Sequence, residues 1–457
     1  MKIFSLGGYS EVGKNMTAVQ IGEDVVILDA GIYLPPVVEL EENERIYVDE
    51  RKLRSINALP NDLLLDKLNL KKNVKAILLS HAHLDHIGAL PYILQNYPMV
   101  DVVGTPFTTE VLKELMRDRG GKSDKKDKRG RYGPDESMIK TVLPNSSFKL
   151  ATKSPMTAEF INITHSTIQT ALIALHTKEG TILYANDFKF DNNPIVGKKP
   201  NYERLREIAK KGIKVLIVDS LYSGDERKTP SEKIARGLLE DVLLTTENRK
   251  SAVIVSTFSS HIARLKSIVD FSKQLNRKPI FIGRSLRRYV SAATRVKMCP
   301  FEKSIYLASY KKQVESILRK IMVNPEKYLI VATGHQAEPG SVLDRMSRGE
   351  LPFVFHKDDH VIFSSKVIPN EVNIGNRNML EMKLKKKGVR IFNNVHVSGH
   401  AGREDLRDMI NMLTPENIIP THGDIEKLKP MGELAIELGY KLEKTVHIMQ
   451  DSEVLTL

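Results

Sequence analysis

The sequence predicts a layered α/β protein with a second α/β domain inserted into the first. Three observations lead there. Five short apolar runs, spread over the chain, each end at once in Asp or His. A middle block, from about Lys214 to Ser365, changes to strands separated by helical patterns. The Asp/His theme then resumes beyond that block, which makes insertion the simplest arrangement. At 457 residues the chain is also too long for one ordinary domain.

The apolar runs come in order. Val25-Val26-Ile27-Leu28 leads into Asp29, and Ala76-Ile77-Leu78-Leu79-Ser80 leads into His81-Ala82-His83-Leu84-Asp85-His86. Phe160-Ile161-Asn162-Ile163 is followed by Thr164-His165. Thr181-Ile182-Leu183-Tyr184 is followed by Ala185-Asn186-Asp187, and Asn417-Ile418-Ile419-Pro420 by Thr421-His422. A single Asp after a strand means little, because turns favour Asp. Five runs with the same ending suggest strand ends gathered at one edge of a layered domain, with their side chains facing one cleft.

The hexapeptide His81–His86 carries the chemistry. Neutral imidazole and carboxylate are the groups that bind divalent zinc or manganese. A fold gains no stability from crowding groups that repel one another once protonated. In an extended turn His81 and His83 point the same way, which leaves Asp85 and His86 free to serve a second ion.

The middle block contains Val215-Leu216-Ile217-Val218, Ala252-Val253-Ile254-Val255, Pro279-Ile280-Phe281-Ile282 and Tyr328-Leu329-Ile330-Val331. These continuous apolar runs read as strands buried on both faces of a parallel sheet, with crossover helices such as Ser231–Leu239 between them. The resulting division is 1–213, the first part of the outer domain; 214–365, the insert; and 366–457, the outer domain's C-terminal part.

A net charge of +13 suits a polyanionic partner. The single cysteine, Cys299, excludes an intrachain disulfide and a Cys-type zinc site, and fits a reducing cytoplasm. Met1–Leu6 lacks the apolar core of a signal peptide. No stretch is long and apolar enough to cross a membrane, so no membrane partner is expected. Arg117–Arg131, RDRGGKSDKKDKRGR, reads either as a solvated loop or as a basic arm touching phosphates.

Taken together these residues resemble the metallo-β-lactamase superfamily. HxHxDH is its central motif, and Asp29, His165 and Asp187 match the flanking motifs in order. Asp219 in Ile217-Val218-Asp219-Ser220, His400 in Val397-Ser398-Gly399-His400-Ala401 and His422 in Pro420-Thr421-His422-Gly423 match the three motifs of its β-CASP subgroup. Leu6–Asn15, Thr257–His261, Thr333–Pro339 and His396–His400 are similar to ribonuclease J in its shorter archaeal form. The resemblance implies an αββα sandwich with an inserted β-CASP α/β domain.

The resemblance also implies a site. One metal takes His81, His83, His165 and Asp187; the other takes Asp85, His86, His422 and the bridging Asp187. Two divalent cations are implied, Zn2+ first, with Mn2+ or Mg2+ as alternatives. Cations about 3.5–4 Å apart can clamp a scissile phosphate and lower the pKa of water. Asp29 accepts a ring N–H from a ligand histidine and fixes its tautomer. Asp219 and His400 sit across the cleft, where a histidine held by a carboxylate can donate a proton to the leaving 3′ oxygen. Asp85, His86, Asp187, Asp219 and His400 form the catalytic set, although which group is the acid stays open.

Substrate contacts are drawn from Ser259, Ser260, His261, Gly334, His396 and Ser398. Ser259 and Ser260 precede a helical pattern, so each is either a phosphate ligand at a helix N-terminus or a plain N-cap. His396 and Ser398 match the family's 5′-monophosphate pocket. The expected activity is a metal-dependent 5′-to-3′ exoribonuclease on single-stranded RNA with 5′-monophosphate ends, acting in RNA decay and maturation, cytoplasmic and homodimeric. The alternative is a β-CASP endoribonuclease of the cleavage-factor type. A tRNA-processing enzyme or a lactonase has no need of the inserted domain, and a non-catalytic RNA-binding scaffold predicts lost ligands where every expected position is filled.

Overall fold

Strand direction decides where the chain's Asp and His residues end up. The computed structural model describes residues 1–40, 48–120, 136–153, 155–368 and 371–457, so most of the Arg117–Arg131 segment lies outside the described residues. The first sheet has the order Val454–Thr456, Lys2–Gly7, Met16–Ile21, Asp24–Leu28, Val74–Leu79, Asp101–Gly104, Ile139–Thr141. The second has the order Asn417–Thr421, Ile213–Asp219, Gly180–Ala185, Ala171–Thr177, Thr157–Asn162, Ser146–Lys149.

The strands before Asp29 and His81 run parallel. Those before Asp187 and His422 each pair in parallel with Ile213–Asp219. Thr157–Asn162, before His165, lies two antiparallel steps from Gly180–Ala185 and so shares its direction. Their C-terminal ends therefore open at one edge of the two layers.

The continuous apolar runs follow from burial on both faces. Val26, Leu28 and Leu78 from the first sheet pack on Phe160, Ile173, Ile182 and Ile217 from the second. The alternate residues Val25, Ile27, Ile77 and Leu79 face outward onto Leu90, Phe107 and Leu112. The far side of the second sheet is covered by Tyr202–Lys210, Arg403–Leu413 and Ile425–Glu437, through Leu205, Met409 and Leu434. This is an αββα sandwich.

A third sheet, with every pairing parallel, has the order Tyr306–Ala308, Lys278–Ile282, Tyr328–Ala332, Val253–Ser256, His360–Phe363, Arg390–Phe392. Its helices include Glu232–Thr245, Ile262–Gln274 and Arg284–Arg295. One apolar cluster joins Leu90 and Phe107 of the sandwich to Leu239, Phe271 and Phe281 of this unit. The rings of Phe107 and Tyr289 lie 6.3 Å apart across that junction. Arg295 pairs with Glu110 and Glu114 at 2.7 Å, and Arg288 pairs with Asp118.

The boundaries drawn at 214 and 365 do not follow the sheets. Ile213–Asp219 hydrogen-bonds between Gly180–Ala185 and Asn417–Thr421, so Val215–Val218 belongs to the sandwich. An internal parallel strand is apolar on both faces in either sheet, and composition cannot assign it to one of them. At the other end, the third sheet continues past Ser365 to Arg390–Phe392, a three-residue edge strand with no fully buried residue. It is too short and too polar to stand out.

The inserted unit is tied together by a buried ion pair. Arg264 is fully buried and gives two hydrogen bonds to Glu232, at 2.5 and 2.8 Å, and others to Ser364 O (2.9 Å) and Ser364 Oγ (2.7 Å). Burial opposes ionisation of Glu232, but the guanidinium outweighs it and brings the carboxyl down to about 2. A carboxyl held below its ordinary value stabilises the fold fully above the unfolded pKa of about 4.5, and that stability is lost as pH falls through about 2. Glu232→Gln strands a buried cation and is expected to cost about 3–5 kcal/mol at neutral pH. Urea denaturation of the two proteins checks it, and the difference should shrink as pH falls below 4.5.

Candidate metal centre and active site

Each candidate side chain is delivered by a strand end. His81 and His83 follow Val74–Leu79, and Asp85 and His86 occupy the one-turn helix Leu84–Ile87. His165, Asp187 and His422 follow their strands within a few residues, and Asp219 ends its own. Asp29, Asp187 and His422 have left-handed backbones, with φ of 60°, 55° and 65°. Asp and His tolerate this region better than most residues, and it persists only where the surroundings enforce it.

Three overlapping donor groups result among the described residues, one of them Asp187, Asp219, His400 and His422. His81, His83, His165 and Asp187 bring one ligand atom each within 4.8 Å of one another, and so do Asp85, His86 and His422. His81 Nε2 and His165 Nε2 lie 3.0 and 3.1 Å from His83 Nδ1. Asp187 stands between the groups with its two oxygens divided. Oδ2 is 3.4 Å from both His81 Nε2 and His165 Nε2. Oδ1 is 3.3 Å from His86 Nε2 and 3.7 Å from His422 Nε2.

Hydrogen bonds behind the rings fix which nitrogens carry lone pairs. Asp29 takes the amide N–H of Ser80 (2.8 Å), the Ser80 hydroxyl (2.7 Å) and Nδ1–H of His86 (2.7 Å). With its proton committed to Asp29, Ser80 Oγ accepts from His81 Nδ1 at 3.0 Å. His165 Nδ1 donates to Gly399 O at 2.7 Å. Nε2 of His81, His86 and His165 is thus left as an acceptor aimed at the shared carboxylate. Asp187 Oδ1 is buried with no hydrogen-bond donor. Acceptors turned on one another, with an orphaned carboxylate oxygen among them, are a donor set that fits divalent cations, and the mixture of imidazole and carboxylate suits zinc.

His400 lies on the open side. Its Nδ1 donates to Asp219 Oδ2 at 2.8 Å, and its Nε2 is 3.9 Å from Asp187 Oδ2. The ring stacks on His422 with centroids 5.4 Å apart. Burial works against charging His400, yet the carboxylates of Asp187 and Asp219 outweigh it and push the imidazole up to about 9.

The residues proposed to contact substrate divide. Ser260, from the inserted unit, places its hydroxyl 3.1 Å from His83 Nε2. Neither serine caps the Ile262–Gln274 helix: His261 occupies the N-cap without a side-chain bond, and Ser259 Oγ meets Ser285 Oγ at 3.0 Å. His261 is buried with Nδ1 unpartnered, and burial pushes it down to about 3. It borders a cavity of about 290 Å³ that reaches His165, Ser166 and Lys198. Gly334 adjoins His335, whose ring lies 4.3 Å from that of Phe258, with His396 6.2 Å beyond. Arg264 Nη1 is 3.4 Å from His396 Nδ1. Ser398 Oγ accepts from the amide of His400 at 3.0 Å.

Other residues at the site carried no role in the sequence reading: Asn15, Ser80, Ser166 and Gly399. Ser80 directly precedes the histidine cluster, and Asn15 closes the Leu6–Asn15 motif, so position was the available signal. Asp191 accepts from the amides of Asn193 (2.8 Å) and Glu232 (2.7 Å).

Residues 10–218 match the Metallo-beta-lactamase superfamily, 250–381 the beta-CASP domain of Ribonuclease J, and 387–449 the Zn-dependent metallo-hydrolase RNA specificity domain. The sequence is 42% identical to Ribonuclease J of Methanocaldococcus jannaschii over 100% of this chain and 98% of that protein. The chain belongs to the ribonuclease J family. Ribonuclease J of Pyrococcus abyssi is 41% identical over 100% of this chain and 97% of its own length. The Helicobacter pylori protein is 30% identical over 99% of this chain and 60% of its own. A crystal structure of an Enterococcus faecalis protein of unknown function shares the fold, with a TM-score of 0.62 at 17% identity, covering 100% of this chain and 99% of that one.

In this ribonuclease J family chain, the Asp29 carboxylate bonds His86 directly at 2.7 Å and reaches His81 only through the Ser80 hydroxyl, among the described residues. Asp29→Ala is expected to weaken cation binding about 10- to 100-fold. Zinc titration against a competing chelator measures it.

Proposed function

We propose that this chain is a metal-dependent ribonuclease that degrades single-stranded RNA 5′ to 3′ from 5′-monophosphate ends, with zinc as the cation. The observation that carries the reading is the division of Asp187's oxygens between two donor groups, with His400 and Asp219 beside them. In this reading His81, His83, His165 and Asp187 hold one cation, and Asp85, His86, His422 and Asp187 the other. Bound there, the cations would supply Lewis acidity at the scissile phosphate and lower the pKa of the attacking water.

The chain's own groups do the rest. Asp29, Ser80 and the Gly399 carbonyl orient the imidazoles before substrate arrives, so that little reorganisation is needed during reaction. Asp219 holds His400 by Nδ1, which leaves Nε2 facing the cleft to hold or deliver a proton at the leaving 3′ oxygen. Ser260 reaches His83 from the inserted unit, so a bound strand meets side chains of both units.

The 5′-end preference is supported by chain geometry. His396 and Ser398 stand four and two residues before His400 on one loop. The Cα atoms of His396 and His400 are therefore no more than about 14 Å apart. Arg264 Nη1, which can only donate, faces His396 Nδ1 at 3.4 Å and leaves Nε2–H of His396 as the donor a terminal phosphate would accept from.

Replacing Asp85 and His86 together by Ala is expected to abolish hydrolysis while RNA binding persists, checked by cleavage and filter-binding assays on one preparation. RNA with a 5′-monophosphate is expected to be degraded faster than 5′-hydroxyl or 5′-triphosphate RNA of the same sequence. Equal rates on all three, with efficient cutting of circular RNA, would instead identify the endonuclease.

A further inference from the structure

Asn15 is buried and makes four polar contacts around the second donor group. Its backbone N–H donates to Asp85 O at 2.9 Å, and its side-chain nitrogen lies 3.1 Å from the same carbonyl. That nitrogen is also 3.2 Å from His86 Nε2, and the side-chain oxygen is 2.9 Å from His422 Nδ1. The orientation of the amide follows from its partners. A carbonyl only accepts, and His86 has its Nδ1–H committed to Asp29, so its Nε2 is also an acceptor. The NH2 group must face both. Oδ1 then faces His422, and His422 Nδ1 must carry the proton. Nε2 of His422 is left with its lone pair toward Asp85 and Asp187, at 3.9 and 3.7 Å.

Space around this residue is reserved. Gly8 has φ +87°, and a Cβ there would fall 2.4 Å from Asn15 Oδ1. Gly8 O in turn accepts the amide of His422 at 2.7 Å. Next to Asn15, the Lys14 ammonium is buried against Glu11 (3.0 Å), Asp451 (3.2 Å) and Asn57 (3.0 Å), which pins the loop. The first donor group makes no use of this loop. His81, His83 and His165 are held by Ser80, Ser260 and the Gly399 carbonyl.

We infer that Asn15 is a positioning residue that holds His422 in its Nδ1–H form and ties it to Asp85, so that affinity for the second cation depends on Asn15 while affinity for the first does not. The inference rests on the reading that Asp85, His86, His422 and Asp187 hold a cation. It is separable from RNA specificity, because cation content is measured without RNA.

The test is zinc content of the full-length protein equilibrated at a series of buffered free-zinc concentrations, wild type against Asn15→Ala, with melting curves to establish folding. Wild type is expected to take up two zinc ions per chain. Asn15→Ala should bind the first unchanged and the second about 10- to 100-fold more weakly. Two ions at wild-type affinity in the variant, or equal weakening of both, overturns the inference. A wild type that never binds a second zinc overturns both the inference and the cation reading beneath it. If Asn15→Ala does not fold, nitrogen NMR of the histidine rings in the wild-type chain decides: His422 is expected to be protonated on Nδ1, and an Nε2–H tautomer overturns the proposal.

Discussion

One buried carboxylate organises the centre. Asp187 presents a different oxygen to each of two groups of imidazoles, and both oxygens are within 4 Å of ring nitrogens delivered by other strands. A side chain with one acceptor could not do this. Because the two groups share Asp187, its two oxygens must be reached from both sides at once. That requirement explains why the strand ends must meet at one edge, and why both sheets are needed to supply them.

The price of such a cluster is strain and crowding, and the surrounding structure absorbs both. Three left-handed residues, Asp29, Asp187 and His422, turn their side chains back toward the cleft directly after a strand. Each is held by groups that are buried and hydrogen-bonded, so the conformations are enforced by their setting. The same layer of bonds leaves Nε2 of His81, His86 and His165 as an acceptor. Rigid placement by strands and specific tautomers set by the bonds behind them are two parts of one arrangement.

Much of this was written in the chain. The pairing of apolar runs with Asp or His endings is visible because parallel strands buried on both faces have a plain signature, and the Asp29, His81–His86, His165, Asp187 and His422 positions stand at their ends. The same plainness hid the sheet to which Val215–Val218 belongs, since an internal strand looks alike in either sheet. Arg390–Phe392 was silent because an edge strand of three partly exposed residues has no periodicity to read. Asn15 and Ser260 lie in recognisable motifs, but the motifs do not name their partners. Those partners, His422 and His83, lie 407 and 177 residues away, and nothing local encodes such a meeting.

The chain leaves the sandwich at Asp219 and comes back at His400, and these two residues share a 2.8 Å hydrogen bond. A short bridge between Tyr222 and Gly402 runs alongside it. Both crossings therefore pass through a single narrow waist, and that waist coincides with the pair beside the carboxylate. The covalent connection between the two units is thus closed by the same bond that orients His400.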